Sequence, residues 1–96
     1  MRRPVIAGNW KMHKTNAEAR SLARTIKAGA ADAAHCEIVI APPFTALNVV
    51  AEEIQSSSLI LAAQNVHWEP KGAFTGEISI SMLKEVGCGM VIIGHS

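Results

Sequence analysis

The chain has no strong excess of either charge. Nine Lys and Arg residues face eight Asp and Glu residues, for a formal net charge of +1, and no basic stripe runs along the sequence. A nucleic-acid partner is therefore not expected. The sequence has no apolar run of membrane-spanning length, and residues 5–7 are too short for the core of a signal peptide. We expect no membrane partner and, by default, a cytoplasmic location.

Paired cysteines and metal-binding motifs are also missing. Cys36 and Cys88 stand apart with no CxxC spacing, so we expect two reduced thiols rather than a disulfide. The four histidines show no i,i+4 pair and no accompanying carboxylate motif, which gives no reason to expect a bound metal. A dinucleotide-binding glycine fingerprint is absent after the first predicted strand, where Gly8, Asn9, Trp10 and Lys11 stand instead, and this disfavours a dinucleotide cofactor.

The chain does contain a repeated alternation of apolar strands and amphipathic helices. Apolar runs at residues 5–7, 37–41, 59–63 and 90–93 predict strands, and the last of them predicts a strand buried on both faces. Three strand–helix units followed by a fourth strand, at about thirty residues each, predict an α/β fold with a parallel sheet. Periodicity alone leaves open whether that sheet is open or closed into a barrel.

Local signals predict where the helices begin and end. Thr15 and Glu18 form a capping-box pattern, and Gly29 is a plausible end for the first helix. Thr45 and Ser79 are the predicted caps of the second and third helices, and Gly87 is the predicted end of the third. The predicted apolar faces of the three helices are Ala19, Leu22, Ala23 and Ile26, then Leu47, Val50, Ala51 and Ile54, then Met82, Leu83 and Val86.

Residues 64–78 break the pattern. They have no helical period and contain Pro70, Gly72 and Gly76, which is typical of a functional loop or a disordered one. Trp68 and Phe74 argue against disorder, because aromatic side chains need a surface to bury against. We expect an ordered functional loop here.

Polar side chains follow several of the predicted strands. Asn9 and Lys11 follow the first strand, and His95 follows the fourth. An isolated lysine is usually a solvated surface charge, and a lone histidine is as often a hydrogen-bonded core residue as a catalyst. Because the carboxyl ends of parallel strands share one edge, the three together favour a site for a small anion. Gln64 and Asn65, after the third strand, either support that site or bind loop backbone.

Four segments in register carry a family resemblance. At Gly8-Asn9-Trp10-Lys11-Met12, Ala62-Ala63-Gln64-Asn65, Pro70-Lys71-Gly72-Ala73-Phe74-Thr75-Gly76-Glu77 and Ile93-Gly94-His95-Ser96, the sequence resembles the triosephosphate isomerase family. That resemblance implies a parallel (β/α)8 barrel, of which only the first three strand–helix units and the fourth strand would be present. Residues 1–96 would then be a single partial domain, about 40% of a barrel of about 250 residues.

The resemblance also implies an activity and roles for particular residues. The family interconverts dihydroxyacetone phosphate and glyceraldehyde 3-phosphate through an enediolate in glycolysis and gluconeogenesis, without cofactor or metal. Lys11 matches the family's electrostatic lysine and Asn9 its substrate-binding asparagine. His95 matches the catalytic histidine that polarises the substrate oxygens, a role taken over from the family, which is a standard example of a neutral imidazole electrophile. The loop around Thr75 resembles the family's dimer loop, which implies a homodimer with an interface at Gln64, Phe74, Thr75 and Gly76.

Two parts of the family's active site have no counterpart in this sequence. The general-base glutamate and the phosphate-gripping loops match no residue of the sequence, so we expect the chain to be a fragment that is inactive alone. The main alternative is a non-catalytic half-barrel that binds a partner subunit through the loop around Thr75. An unrelated phosphate-binding α/β domain is a third interpretation, which the register of the motifs disfavours.

Overall fold

The computed structural model describes residues 3–33 and 35–93. Strands and helices alternate along the chain, as the apolar pattern predicts, and a 3-10 turn at Phe44–Ala46 precedes the second α-helix. The elements are β1 (Val5–Asn9), α1 (Asn16–Ala30), β2 (Glu37–Ala41), α2 (Leu47–Glu53), β3 (Ile60–Ala63), α3 (Ile80–Val86) and β4 (Met90–Val91).

The sheet is parallel and its strands lie in chain order, β1-β2-β3-β4. Its two faces differ. On one face, strand residues such as Ile40 and Leu61 pack in a cluster with residues of all three helices. The other face holds a smaller cluster of strand residues, Val39, Ala41 and Ala62. Consecutive strand order with helices on a single face is the arrangement of a β/α barrel, whereas a doubly wound sheet reverses its strand order and is covered on both faces.

Most helix boundaries follow the local signals. The Glu18 carboxylate accepts a hydrogen bond of 2.9 Å from the Thr15 N–H at the start of α1. Ser79 caps α3 by accepting a bond from the Met82 N–H at 3.4 Å, and Gly87 ends that helix in the left-handed region at φ 115°. Gly29 does not end α1, which continues to Ala30.

Two details of the second and third helices differ from expectation. Thr45 does not cap α2; it lies inside the 3-10 turn, whose entry residue is Pro43 in extended conformation. Met82 does not belong to the buried face of α3, since it is 52% exposed while Leu83 is buried. The remaining predicted faces are correct in outline, with Ala19 and Ala23 of α1, Leu47 and Val50 of α2, and Ile54 directly after α2 buried.

The expected burial of the fourth strand is wrong for the described residues. Met90 is 42% exposed and Ile93 81% exposed, and at the other end of the sheet Val5 and Ile6 are more than half exposed. An apolar run indicates that a strand tends to be buried, but the strand is buried only when other elements lie on both sides of it. Within the described segments β1 pairs only with β2 and β4 only with β3, so both outer strands lack a second neighbour.

None of the helices in the described part of the chain combines the length and apolar character needed to cross a membrane.

Candidate functional site

Lys11 follows β1 at the carboxyl edge of the sheet in an unusual backbone conformation. Its φ is 54°, the left-handed region that side-chain-bearing residues seldom adopt. Its N–H donates a hydrogen bond of 2.9 Å to the Asn9 Oδ1, which closes a tight turn over Trp10. Such a conformation costs about 1–3 kcal/mol and persists only where surrounding contacts impose it. The side chains of Asn9 and Lys11 are thereby held on one exposed turn.

Gln64 supplies the contact that imposes this conformation. Its Nε2 donates to the Lys11 carbonyl at 2.9 Å and to the Ala41 carbonyl at 2.8 Å. The Ala41 carbonyl also accepts from the Trp10 N–H at 3.0 Å. One amide after β3 therefore ties the end of β2 to the turn after β1. Of the two roles considered from sequence, the structure shows that Gln64 binds backbone carbonyls, and its support of an anion site stays a prediction.

The structure brings together only part of the expected anion site. Asn9, Lys11 and Gln64 meet at the ends of β1, β2 and β3. His95 lies outside the described residues, as do Gly94 and Ser96, so its expected position beside Lys11 stays a prediction. Among the described residues, Asn9, Lys11 and Gln64 are the part of the expected site that the structure shows.

The loop at residues 64–78 is ordered without helix or regular strand. Its base is closed by a hydrogen bond of 2.7 Å from the His67 N–H to the Ile78 carbonyl and by a parallel bridge between His67 and Ser79. Its tip is exposed: Trp68 shows 83% of its surface, Phe74 shows 44%, and Thr75 is also exposed. The prediction of an ordered functional loop is consistent with this geometry.

Histidine, cysteine and carboxylate side chains in residues 3–33 and 35–93 form no group of three or more that could hold a metal ion. Cys36 and Cys88 are both free thiols, Cys36 being buried. Partial burial raises the pKa of the Cys88 thiol, which lowers its reactivity at neutral pH.

Sequence reasoning missed two features of this region. His67 packs inside the loop against Phe74, with ring centroids 4.2 Å apart, and nothing in the residue pattern singled it out. The left-handed turn at Lys11 was missed because its sequence has no glycine at that position. For Gln64, its place directly after a strand end suggested a supporting role, and its family motif implied an interface role.

Comparison with other proteins agrees with this geometry. The sequence pattern of the triosephosphate isomerase family matches residues 4–96. The triosephosphate isomerase of Caldanaerobacter subterraneus subsp. tengcongensis is 54% identical over 96 residues, and that of Synechococcus sp. strain CC9902 is 56% identical over 97 residues. Both matches include the whole of this chain, which spans 38% of the first relative's length and 40% of the second's.

A solved structure gives the same result in three dimensions. The triosephosphate isomerase of Bartonella henselae superposes with a TM-score of 0.89 at 42% identity, over 98% of this chain and 38% of that one. The parallel sheet in chain order, with helices on one face and a polar turn at its carboxyl edge, defines a protein of the β/α-barrel class. Within that class, the chain belongs to the triosephosphate isomerase family.

Proposed function

We propose that this chain supplies the Asn9, Lys11 and His95 side of an active site that interconverts dihydroxyacetone phosphate and glyceraldehyde 3-phosphate. The observation that carries the proposal is the left-handed turn at Lys11, held by Asn9 and Gln64 at the carboxyl ends of three strands. Lys14 is left-handed as well, with φ 85°, so the conformation alone does not mark a site; Lys11 adds to it the hydrogen bonds to Asn9 and Gln64 at the strand ends. Backbone strain of this kind concentrates at functional sites.

The proposed chemistry follows from where negative charge would form. Proton abstraction next to a carbonyl creates an enediolate, whose oxygens gain charge in the transition state. A fixed ammonium stabilises that charge and also suits a phosphate dianion, because it is a compact point charge. The side-chain oxygen of Asn9 accepts the hydrogen bond from the Lys11 N–H, so the amide N–H groups of Asn9 can donate to a substrate oxygen.

His95 would provide the second donor, to the oxygens of the reacting carbons. The reaction moves a proton between carbons and needs no cofactor or metal. It does need a base aimed at a carbon-bound proton. No carboxylate of the sequence matches the family's base, so in this proposal the base and the phosphate loops come from outside residues 1–96.

The proposal includes a homodimer. Thr75 lies at the exposed tip of the loop at residues 64–78, with Phe74 and Gly76 on either side. An ordered loop with an exposed tryptophan and a half-exposed phenylalanine is suited to docking on another protein surface. We propose that this loop docks on a second subunit beside the turn that carries Lys11, with Gln64 at its base.

The proposal also covers the chain's place in a larger fold. Residues 1–96 would be one part of a single barrel domain rather than a domain alone. The exposed outer strands β1 and β4 support this, because apolar strand edges are normally paired or covered. With this activity the protein would act in glycolysis and gluconeogenesis, in the cytoplasm.

A second candidate function rests on the same loop. The chain could serve as a non-catalytic half-barrel that binds a partner subunit through residues around Thr75. The exposure of Trp68, at 83%, favours this reading. This second function does not account for the strained turn at Lys11, because docking through the loop at residues 64–78 does not require that turn.

The test uses a chimera in which this chain is joined to the part of the Caldanaerobacter relative that the match leaves out. Lys11→Met should lower kcat/KM for dihydroxyacetone phosphate by about 100-fold or more, because removal of one electrostatic group from such a site costs about that much. The matched control is Lys14→Met, which changes an exposed lysine that is also left-handed, with φ 85°. Normal turnover by the Lys11→Met chimera would show that Lys11 is a surface charge and overturn the proposal.

A further inference from the structure

The loop at residues 64–78 has an interior of its own, built around one side chain. His67 is mostly buried, with 19% of its side chain exposed. Its backbone closes the base of the loop through the bond to the Ile78 carbonyl, and its ring reaches across the loop to Phe74. The side chain of Phe74, which precedes the proposed interface residue Thr75, is therefore held by a contact within the same loop.

The contact between His67 and Phe74 is a ring stack. Their centroids are 4.2 Å apart with a tilt of 39°, and the Trp68 ring meets His67 edge-on at 6.5 Å. Gly72 passes so close to the Phe74 ring that a Cβ on this residue would lie 2.7 Å from it. Phe74 is thus held between the imidazole and a glycine backbone, although 44% of its surface is exposed.

Hydrogen bonding does not explain the position of the imidazole. Its Nδ1 lies 4.0 Å from the Glu77 Oε1, too far for a hydrogen bond, and that oxygen already accepts from the Asn65 Nδ2 at 3.2 Å. The His67 Nε2 is buried with no partner among the described residues. The His67 ring is therefore held by its contacts with the rings of Phe74 and Trp68, and its buried Nε2 is energetically unfavourable.

We propose that His67 is a positioning residue, whose ring stack prefolds the loop and presents Phe74 and Thr75 to a second copy of the chain. This inference rests on the proposed homodimer and adds a residue to it. A loop that is already ordered loses less conformational entropy when it docks, so its affinity for the partner is higher. His67 itself need not touch the partner to have this effect.

Sedimentation of the chimera over a range of concentrations measures the dimer Kd. His67→Ala should raise it about tenfold, since the stack is lost in both loops of a two-fold dimer. His67→Phe should restore the Kd to within about threefold of the parent value, because it keeps the stack and removes the buried Nε2. The control is His35→Ala, an exposed histidine in the turn before β2.

Two results would overturn the inference while the dimer itself stands. One is a His67→Ala chimera that dimerises like its parent. The other is a His67→Phe chimera as weak as His67→Ala, which would mean that the ring nitrogens and not the stack carry the effect. A parent chimera that folds and isomerises as a monomer would instead overturn the proposed dimer.

A second measurement tests whether the loop keeps the stack of His67 on Phe74 when no partner subunit is bound. In a chimera made monomeric by Thr75→Arg, nuclear Overhauser effects between the ring protons of His67 and Phe74 should persist, because the stack lies within one chain. Their loss in the monomer would mean that the partner orders the loop, which contradicts prefolding by His67.

Discussion

At the scale of single residues, the proposed site depends on how an unfavourable backbone conformation is stabilised. Lys11 at φ 54° is held by two partners, the Asn9 side chain on its N–H and the Gln64 amide on its carbonyl. Neither partner is charged, so together they fix the turn without adding charge near the ammonium. The arrangement fixes the backbone from which the Lys11 side chain extends at a strand end, and a preorganised position favours electrostatic stabilisation of a transition state.

Gln64 gives the first prediction at this scale. Gln64→Met keeps the length of the side chain but removes both donated bonds, which leaves the Lys11 and Ala41 carbonyls without that amide. We expect a loss of about 1 kcal/mol in the free energy of unfolding, at the low end for lost bonds because the site is partly exposed. In the chimera kcat/KM should also fall, because the Lys11 turn is less well fixed.

The control for that change is Gln55→Met, an exposed glutamine at the end of α2. Urea unfolding and steady-state kinetics of the two variants are compared side by side. If Gln64→Met and Gln55→Met behave alike in both measurements, then Gln64 does not hold the turn.

Residue positions at strand ends could be predicted from sequence, but their conformations could not. Asn9, Lys11 and Gln64 were found because each follows an apolar run. The left-handed turn at Lys11 depends on an amide 53 positions away, and no local pattern contains that information. The stack on His67 was likewise hidden, because it requires the loop to bring residues 67 and 74 together.

At the scale of elements, α1 and α2 are joined by a group of ion pairs. Glu53 accepts from the Arg24 Nε at 2.8 Å and from the Arg20 Nη1 at 3.0 Å, and Arg20 also bonds Glu52 at 3.1 Å. The Arg24 hydrogen bond, followed by that of Arg20, holds the pKa of the Glu53 carboxyl below its ordinary value of 4.5. The folded state therefore favours the ionised form of this carboxyl.

A pH dependence follows with a definite sign. Since the folded pKa of Glu53 is depressed, its contribution to stability is fully present above the ordinary value of 4.5 and is lost as pH falls through the folded pKa. Chimeras with and without Glu53→Gln should differ in unfolding free energy at pH 7 and converge under acid conditions. An Arg24→Met background should reduce the difference at neutral pH. A difference that stays constant down to pH 2 would contradict the assignment.

The loop at residues 64–78 gives the other prediction at this scale. Thr75→Arg places a long cation at the exposed tip proposed to enter the partner's site, so the chimera should sediment as a monomer. The control is Thr25→Arg on the exposed face of α1, which should leave the dimer intact. An unchanged dimer for Thr75→Arg would remove the loop from the interface.

Element boundaries were predictable where their signals are local. The Ser79 cap and the Gly87 end of α3 depend on side chains and dihedral angles within a few residues, and both were correct. Gly29 and Thr45 failed as boundary signals, since α1 continues to Ala30 and a 3-10 turn entered from Pro43 precedes α2. The burial of β4 was the least predictable, since an apolar run does not say which neighbours will cover it.

At the scale of the whole molecule, the described residues form four consecutive strands of a parallel sheet rather than a closed barrel. The two outer strands carry exposed apolar side chains, including Val5, Ile6 and Met90. Unpaired apolar edges favour association and weaken cooperative folding. The sheet order and its one-sided helical layer are those of a barrel segment. The barrel itself was inferred from motifs, because periodicity does not distinguish open sheets from closed ones.

This incompleteness predicts how the 96-residue chain behaves alone. We expect aggregation, or a loose state without a cooperative thermal transition, whereas the chimera should melt cooperatively. Calorimetry of both proteins at equal concentration measures the difference. A sharp, reversible transition in the isolated chain would show that its core is sufficient without further strands.

The isomerase assay applied to the chimera and to the isolated chain tests the central claim most directly. Formation of glyceraldehyde 3-phosphate from dihydroxyacetone phosphate is coupled to a dehydrogenase. The chimera should turn over, because Asn9, Lys11 and His95 meet the missing base, and the isolated chain should not. A cooperatively folded chimera without activity would contradict the account. So would turnover by the isolated chain that His95→Ala abolishes.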